Sequence, residues 1–396
     1  MRICGIVSEY NPFHAGHEWH IAQTRDITRS DLVVCVMSAS FVQRGEPAIF
    51  DKWTRAACAL LCGADAVVEL PLLSAVQSAE GFAQGGVSVL RALGAQAISF
   101  GSETADIDLL TKAAHVLADE TAAFRRTLRQ HLDDGSSFPA ARMQAALPDA
   151  PEILCHPNAI LGIEYIKAII QSGADITPFA VPRTGGAYHS ADMTDTVPSA
   201  TALRAALKVE ETEQAIAAMP QDCRDYVRAQ LDQGLVPVYP DCFDNALLFA
   251  LRRSGLDYIR QLHEVSEGLE NRIFEAAQRC TSREALIGMV KTKRYTYTRI
   301  SRILLYALLG ITREAVKLHN QAPLNHVRIL GVKSPDVLSA LSKTCTVSLV
   351  AGSAANSPYP TLDAAATDVW ALSQRVSPFQ DGYRDFTQKL LIRSQF

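Results

Sequence analysis

Hydrophobic positions along the chain form short unbroken runs separated by longer stretches of helical spacing. Residues 2–8 (RICGIVS), 32–37 (LVVCVM), 66–70 (AVVEL) and 97–100 (AISF) read as strands covered on both faces, since a parallel sheet between helices leaves its strands no polar side. Residues 16–28, 52–62 and 78–93 lie between them with helical spacing. Further helices are expected over 106–132, 158–171 and 199–207, the last opening after Pro198, with another strand at 175–181 (DITPFAV). The strand–helix alternation predicts an α/β fold on a parallel sheet, closing near residue 205. Residues 206–320 read as almost entirely helical. A strand at 326–332 (HVRILGV), a helix at 334–343 and a strand at 346–350 then predict a small α/β element, so the expected division is 1–205 and 206–396. No internal repeat breaks this pattern.

Composition narrows the class. The chain has 396 residues, 48% of them hydrophobic and 20% charged, enough apolar material for two real cores and too much for disorder. No run approaches the roughly 20 apolar residues of a membrane span, and the first residues lead straight into a strand, so a cytoplasmic protein without a membrane partner is expected. The 9 cysteines are scattered. Cys58 and Cys62 sit one helical turn apart with no second pair to complete a metal site, so the thiols read as reduced core residues. Residues 1–205 carry 15 Lys and Arg against 22 Asp and Glu, and residues 206–396 carry 23 against 20. A polyanionic partner therefore suits the second half better.

Candidate chemistry concentrates after the first strand. Glu9-Tyr10-Asn11-Pro12-Phe13-His14-Ala15-Gly16-His17 bridges that strand to the first helix, where a parallel α/β sheet presents anions to a helix N-terminus. Two imidazoles at i and i+3, with a glycine that admits close backbone approach, can donate to phosphate oxygens and stabilise charge developing in a displacement. His20 continues the same face. Read alone, the same histidines could cap the helix or bind a metal.

The loop resembles the HIGH-type nucleotidyltransferase superfamily, whose members use it on ATP. Four more segments extend the likeness: Ser38-Ala39-Ser40-Phe41-Val42-Gln43-Arg44-Gly45-Glu46-Pro47, Glu69-Leu70-Pro71, Phe100-Gly101-Ser102-Glu103 and Lys293-Arg294-Tyr295-Thr296. Together with the loop they resemble the bacterial tRNA(Met) cytidine acetate ligase family over nearly the whole chain. The resemblance implies a Rossmann-like nucleotidyltransferase domain followed by a mostly helical tRNA-binding domain. It also implies formation of acetyl adenylate from acetate and ATP, then transfer of the acetyl group to N4 of the wobble cytidine of elongator tRNA(Met). Mg²⁺ is expected with the ATP, its ligands unassigned, and no protein partner is implied.

Carried over residue by residue, the ATP site comprises Val7, Ser8, Glu9, Tyr10, Asn11, Pro12, Phe13, His14, Gly16, His17 and His20, with His14 and His17 catalytic. Gly101 ends a strand, Asn158 opens a helix where it can also cap the backbone, and Arg183 lies in a glycine-containing loop suited to phosphate or adenine. Pro198-Ser199-Ala200-Thr201-Ala202-Leu203-Arg204 is similar to a second superfamily motif, with Ala200 in place of one hydroxyl residue. Ser199, Thr201 and Arg204 remain to meet phosphates. Gln43, Arg44 and Lys52, with Arg55, are assigned to the acetate or acceptor side. Between residues 291 and 302, Lys291, Lys293, Arg294, Arg299 and Arg302 with Tyr295 form a basic, aromatic-interleaved stretch for tRNA. Two other readings share the first half: a small-molecule adenylyltransferase and a noncatalytic RNA-binding protein.

Overall fold

The computed structural model describes every residue except 137, 148–155, 183–197, 210, 267, 293 and 355–356. Its strands are β1 (Ile3–Ser8), β2 (Leu32–Ser38), β3 (Phe41–Val42), β4 (Glu46–Pro47), β5 (Ala66–Leu70), β6 (Ala97–Ser102), β7 (Thr177–Pro182), β8 (His326–Val332), β9 (Ser348–Ala351) and β10 (Leu391–Ile392). Among the described residues the main sheet runs β10-β8-β5-β2-β1-β6-β7, with β9 added beside β8. β1 pairs in parallel with β2 on one side and β6 on the other, and β7 extends the parallel set beyond β6.

The unbroken apolar strands are buried as their sequences require. Ile3, Cys4, Val33, Val34, Cys35, Val36 and Met37 are all at 0% exposure. Helix Ala79–Ala92 lies so close to β1 that a Cβ on Gly5 would fall 2.0 Å from Leu90 Cδ2, so any larger residue at the centre of that strand would displace the Leu90 side chain. Helix Ala15–Thr28 follows β1 directly, and Ser199 caps helix Ala200–Lys208 by accepting from the Ala202 amide at 3.1 Å.

The sheet does not stop at residue 205. β8 pairs antiparallel with β5, aligning Ala66 with Val332, and β9 and β10 lie parallel to β8. The expected small α/β element is thus the far edge of the same sheet. Every residue of β8 is buried, and such a strand needs a neighbour on its inner edge and helices over its faces. The described residues of the stretch expected to be almost entirely helical, 206–320, form helices joined by short connections, the last being Arg313–Gln321, with no strand among them.

Candidate active site at the end of the first strand

The cap of helix Ala15–Thr28 builds the histidine pair. His14 is the N-cap: its Nδ1 accepts from the Gly16 amide at 3.1 Å, while the His14 amide donates to Nδ1 of His17 at 3.2 Å. This reciprocal box is the usual Ser/Thr and Glu arrangement made with imidazoles. It stacks the two rings, with centroids 3.8 Å apart and planes 32° from parallel. Because each Nδ1 accepts a backbone N–H, the ring proton of each lies on Nε2, so both rings present a donor edge beside the helix N-terminus. Capping and ligand binding are therefore compatible duties of the same residues. His20, one turn on, bonds Ser99 Oγ at 3.1 Å through Nε2.

These groups wall a cavity of about 240 Å³ over the ends of β1, β6 and β7. The structure brings Val7, Ser8, Glu9, Tyr10, Asn11, His14, Gly16, His17, His20, Gly101, Asn158, Ser199, Thr201 and Arg204 together on that wall, although they are spread over two hundred residues of sequence. Arg204 donates to the Asn11 carbonyl at 2.6 Å and to Thr201 Oγ1 at 3.3 Å, tying the second motif to the first. Asn11 in turn accepts from the Ile49 amide at 2.7 Å. Gln43 and Arg44 reach the wall from the hairpin of β3 and β4.

Several expectations are corrected here. Pro12 and Phe13 do not face the cavity; Phe13 is buried behind it, its ring 4.9 Å from Tyr10 and 5.4 Å from His17, where it props the loop. Asn158 is not the cap of its helix. His156 holds the N-cap position, and the Glu103 carboxylate accepts from the Ala159 amide at 3.0 Å and from Asn158 Nδ2 at 2.6 Å. Arg183 and Lys293 lie outside the described residues.

Lys52 is the clearest displacement. It has 0% exposure and lies between two carboxylates, 3.0 Å from Glu69 and 2.7 Å from Asp385, with the Tyr359 hydroxyl at 3.1 Å. It joins the first half of the chain to the last and does not touch the cavity wall. Arg55 is also buried. It donates to the carbonyls of Glu9 at 2.6 Å, Ser38 at 2.9 Å, Phe50 at 3.0 Å and Ala39, holding the ends of β1 and β2; burial lowers its pKa to about 10.

Over residues 1–384 the chain matches the family described as HIGH Nucleotidyl Transferase. The tRNA(Met) cytidine acetate ligase of Acetivibrio thermocellus is 35% identical over 415 residues, covering 99% of this chain and 100% of its own. The chain belongs to the tRNA(Met) cytidine acetate ligase family. Its relative in Syntrophomonas wolfei, of the same name, is 38% identical over 86% of this chain and 84% of its own. Among solved structures, Thermotoga maritima TmcAL in its apo form superposes with a TM-score of 0.92 at 31% identity, covering 99% of this chain and 100% of that one. The same Thermotoga protein bound with alpha-thio ATP gives a TM-score of 0.90 at 31% identity, with the same coverage of both chains.

Within this family frame, the cavity has parts that sequence reasoning passed over. Trp19, Phe82, Phe100, Leu161 and Tyr165 line it, yet at helical or strand spacing they read as ordinary core. Glu9 is the other. Its Oε1 accepts from the Gln43 amide at 2.8 Å. Burial pushes its carboxyl up, against that hydrogen bond and the charges of Arg204, Arg44 and Arg55.

The hairpin carrying Gln43 and Arg44 is gripped from the helical half. Ser301 Oγ, on helix Tyr297–Leu309, lies 2.5 Å from the Arg44 carbonyl and 3.2 Å from that of Gly45; Arg283 reaches Ser301 and Gly45. The basic stretch is also partly structural. Arg302 makes a two-pronged pair with Glu264, at 2.9 Å from Nη2 and 3.0 Å from Nε, Arg299 donates to the Glu264 carbonyl at 2.7 Å, and Tyr295 is buried. Lys291 and Arg294 are the exposed cations among its described residues.

Proposed function

We propose that this chain activates acetate with ATP in the cavity at the end of β1, forming acetyl adenylate and pyrophosphate. It then transfers the acetyl group to N4 of the wobble cytidine of elongator tRNA(Met). The observation that carries the reading is the convergence of two helix N-termini on one cavity, His14 and His17 on one side and Ser199, Thr201 and Arg204 on the other. Donors and helix dipoles arranged in this way suit a triphosphate.

In this reading the acetate carboxylate attacks the α-phosphorus. Nε2–H groups of His14 and His17 stabilise the charge that develops, and Arg204 and the capped helix receive the leaving phosphates. Among the described residues no group of three or more His, Cys, Asp or Glu side chains could hold a metal. Mg²⁺ would enter with the triphosphate and neutralise charge on its phosphate oxygens, in the cavity that His14, His17 and Arg204 line. Gln43 and Arg44 face the acetate and acceptor side. Exposed Lys291 and Arg294, with Lys293, contribute phosphate contacts that position tRNA. The enzyme acts where tRNA does, in the cytoplasm; no helix among the described residues is long and apolar enough to cross a membrane.

The test is incubation with ATP, labelled acetate and bulk tRNA, followed by nuclease digestion. Label is expected in acetylcytidine, with AMP and pyrophosphate formed in step. ATP binding without labelled nucleoside contradicts the reading.

A further inference from the structure

The acetyl-transfer half of the reaction needs a proton acceptor, and this inference rests on the acetate ligase reading above. The exocyclic amine of cytidine shares its lone pair with the ring, so it attacks a carbonyl efficiently only as its proton is withdrawn. The cavity wall offers few groups able to take that proton. His14 and His17 spend Nδ1 accepting backbone amides and present N–H at Nε2. The Tyr10 and Tyr165 phenols are driven well above their ordinary range by burial. The His20 imidazole is turned to Ser99, its Nε2 bonded to Ser99 Oγ at 3.1 Å, and Arg44 and Arg204 are cations. Among the described residues the carboxylates on the wall are Glu9 and Glu46.

Glu9 has the better placement. It sits in the turn between β1 and the histidine pair, beside the expected site of adenylate chemistry. The Gln43 amide fixes its Oε1 at 2.8 Å, and its Oε2 makes no hydrogen bond to another described residue. We propose that Glu9 is the general base of acetyl transfer. As the cytidine nitrogen bonds to the acetyl carbon, the proton of that nitrogen passes to Oε2. The bond from the acetyl carbon to the adenylate oxygen breaks, and AMP leaves with the bonding electrons. Glu9 then gives the proton to solvent. Burial strengthens the carboxylate as a base. Arg44 on the hairpin, Arg55 on helix Lys52–Leu61 and Arg204 on helix Ala200–Lys208 favour its ionised form, and Tyr165 on helix Pro157–Ser172 is a further titratable neighbour.

Glu9→Gln preserves size and the acceptor for the Gln43 amide. Two rates are compared: acetate-dependent exchange of labelled pyrophosphate into ATP, and single-turnover transfer to elongator tRNA(Met) across pH. E9Q is expected to slow transfer by on the order of 10²–10⁴-fold, at least ten times more than it slows exchange, and to remove the acid limb of the transfer profile. Glu9→Asp retains that limb at a lower rate. Equal losses in both rates, a surviving acid limb in E9Q, or an acid limb removed by Glu46→Gln instead would overturn the assignment. Wild-type protein that forms no acetylcytidine in parallel overturns the ligase reading and this inference together, whereas full transfer by E9Q overturns the inference alone.

Discussion

Gly45 is where the helical half of the molecule meets the cavity wall, and replacing it tests whether that contact matters. Its φ of +74° lies in the left-handed region, and a Cβ there would sit 2.5 Å from the Arg302 amide nitrogen, 2.6 Å from Arg302 Cα and 2.6 Å from the Ser301 carbonyl carbon. The left-handed conformation alone costs an alanine about 1–2 kcal/mol. The clash is with backbone of helix Tyr297–Leu309, which cannot swing aside as a side chain could, so the hairpin must lift by roughly 1 Å to restore ordinary contact. That movement breaks the Ser301 hydrogen bonds and shifts Gln43 and Arg44, with the Gln43 amide that orients Glu9. Misplacement of reacting groups by about 1 Å costs on the order of 10²-fold in rate. Gly45→Ala is therefore expected to lower the single-turnover acetylation rate by about 10²-fold and stability by roughly 1–3 kcal/mol, with tRNA retention on filters preserved. A variant with wild-type acetylation and an unchanged denaturation midpoint would refute the argument.

Other consequences concern charge. Asp363 accepts from the Leu72 amide at 2.8 Å, and burial, reinforced by Glu69 and Asp385, raises its carboxyl from 3.8 to about 7. Its folded-state pKa lies above its unfolded value, so the folded state keeps a proton the unfolded chain releases, and stability from this group falls as pH rises from about 3.8 to about 7. Asp363→Asn keeps the acceptor without the charge. Its urea-denaturation free energy should match wild type near the lower pH and exceed it by up to about 4 kcal/mol above the upper one; a pH-independent difference would contradict this. Arg302→Ala should cost about 3 kcal/mol of stability by leaving Glu264 unpaired, while the salt dependence of tRNA binding stays as in wild type. Lys291→Ala, at an exposed position, should do the reverse, lowering the slope of log affinity against log salt by roughly 0.7–0.9.

The sequence made the catalytic end of the fold legible because its signals are local. Strand, histidine loop and helix follow one another directly, and Ser199 announces its cap from the residues beside it. What escaped were partners distant in the chain. Lys52 at the start of a helix reads as an acceptor-side cation, and only the fold brings Asp385 and Tyr359 to it. Glu69 within AVVEL was the available hint, since a carboxylate inside a buried strand requires a cation. Arg302 likewise finds Glu264 across 38 residues. β8 was visible as a strand, but its antiparallel place beside β5 depends on a chain return no local pattern encodes, and the two-residue strands β3 and β4 are too short for any periodicity. The aromatics around the cavity were hidden for a different reason: a ring facing a ligand and a ring facing core have the same spacing.

The central claim is that the acetate oxygen attacks the α-phosphorus of ATP before acetyl reaches tRNA. The most direct measurement supplies acetate labelled with heavy oxygen in both carboxylate positions, together with ATP and elongator tRNA(Met), and weighs the products by mass spectrometry. One heavy oxygen in each AMP and the other in the acetylcytidine is the predicted result. Heavy oxygen in pyrophosphate, or AMP without it, would contradict the account.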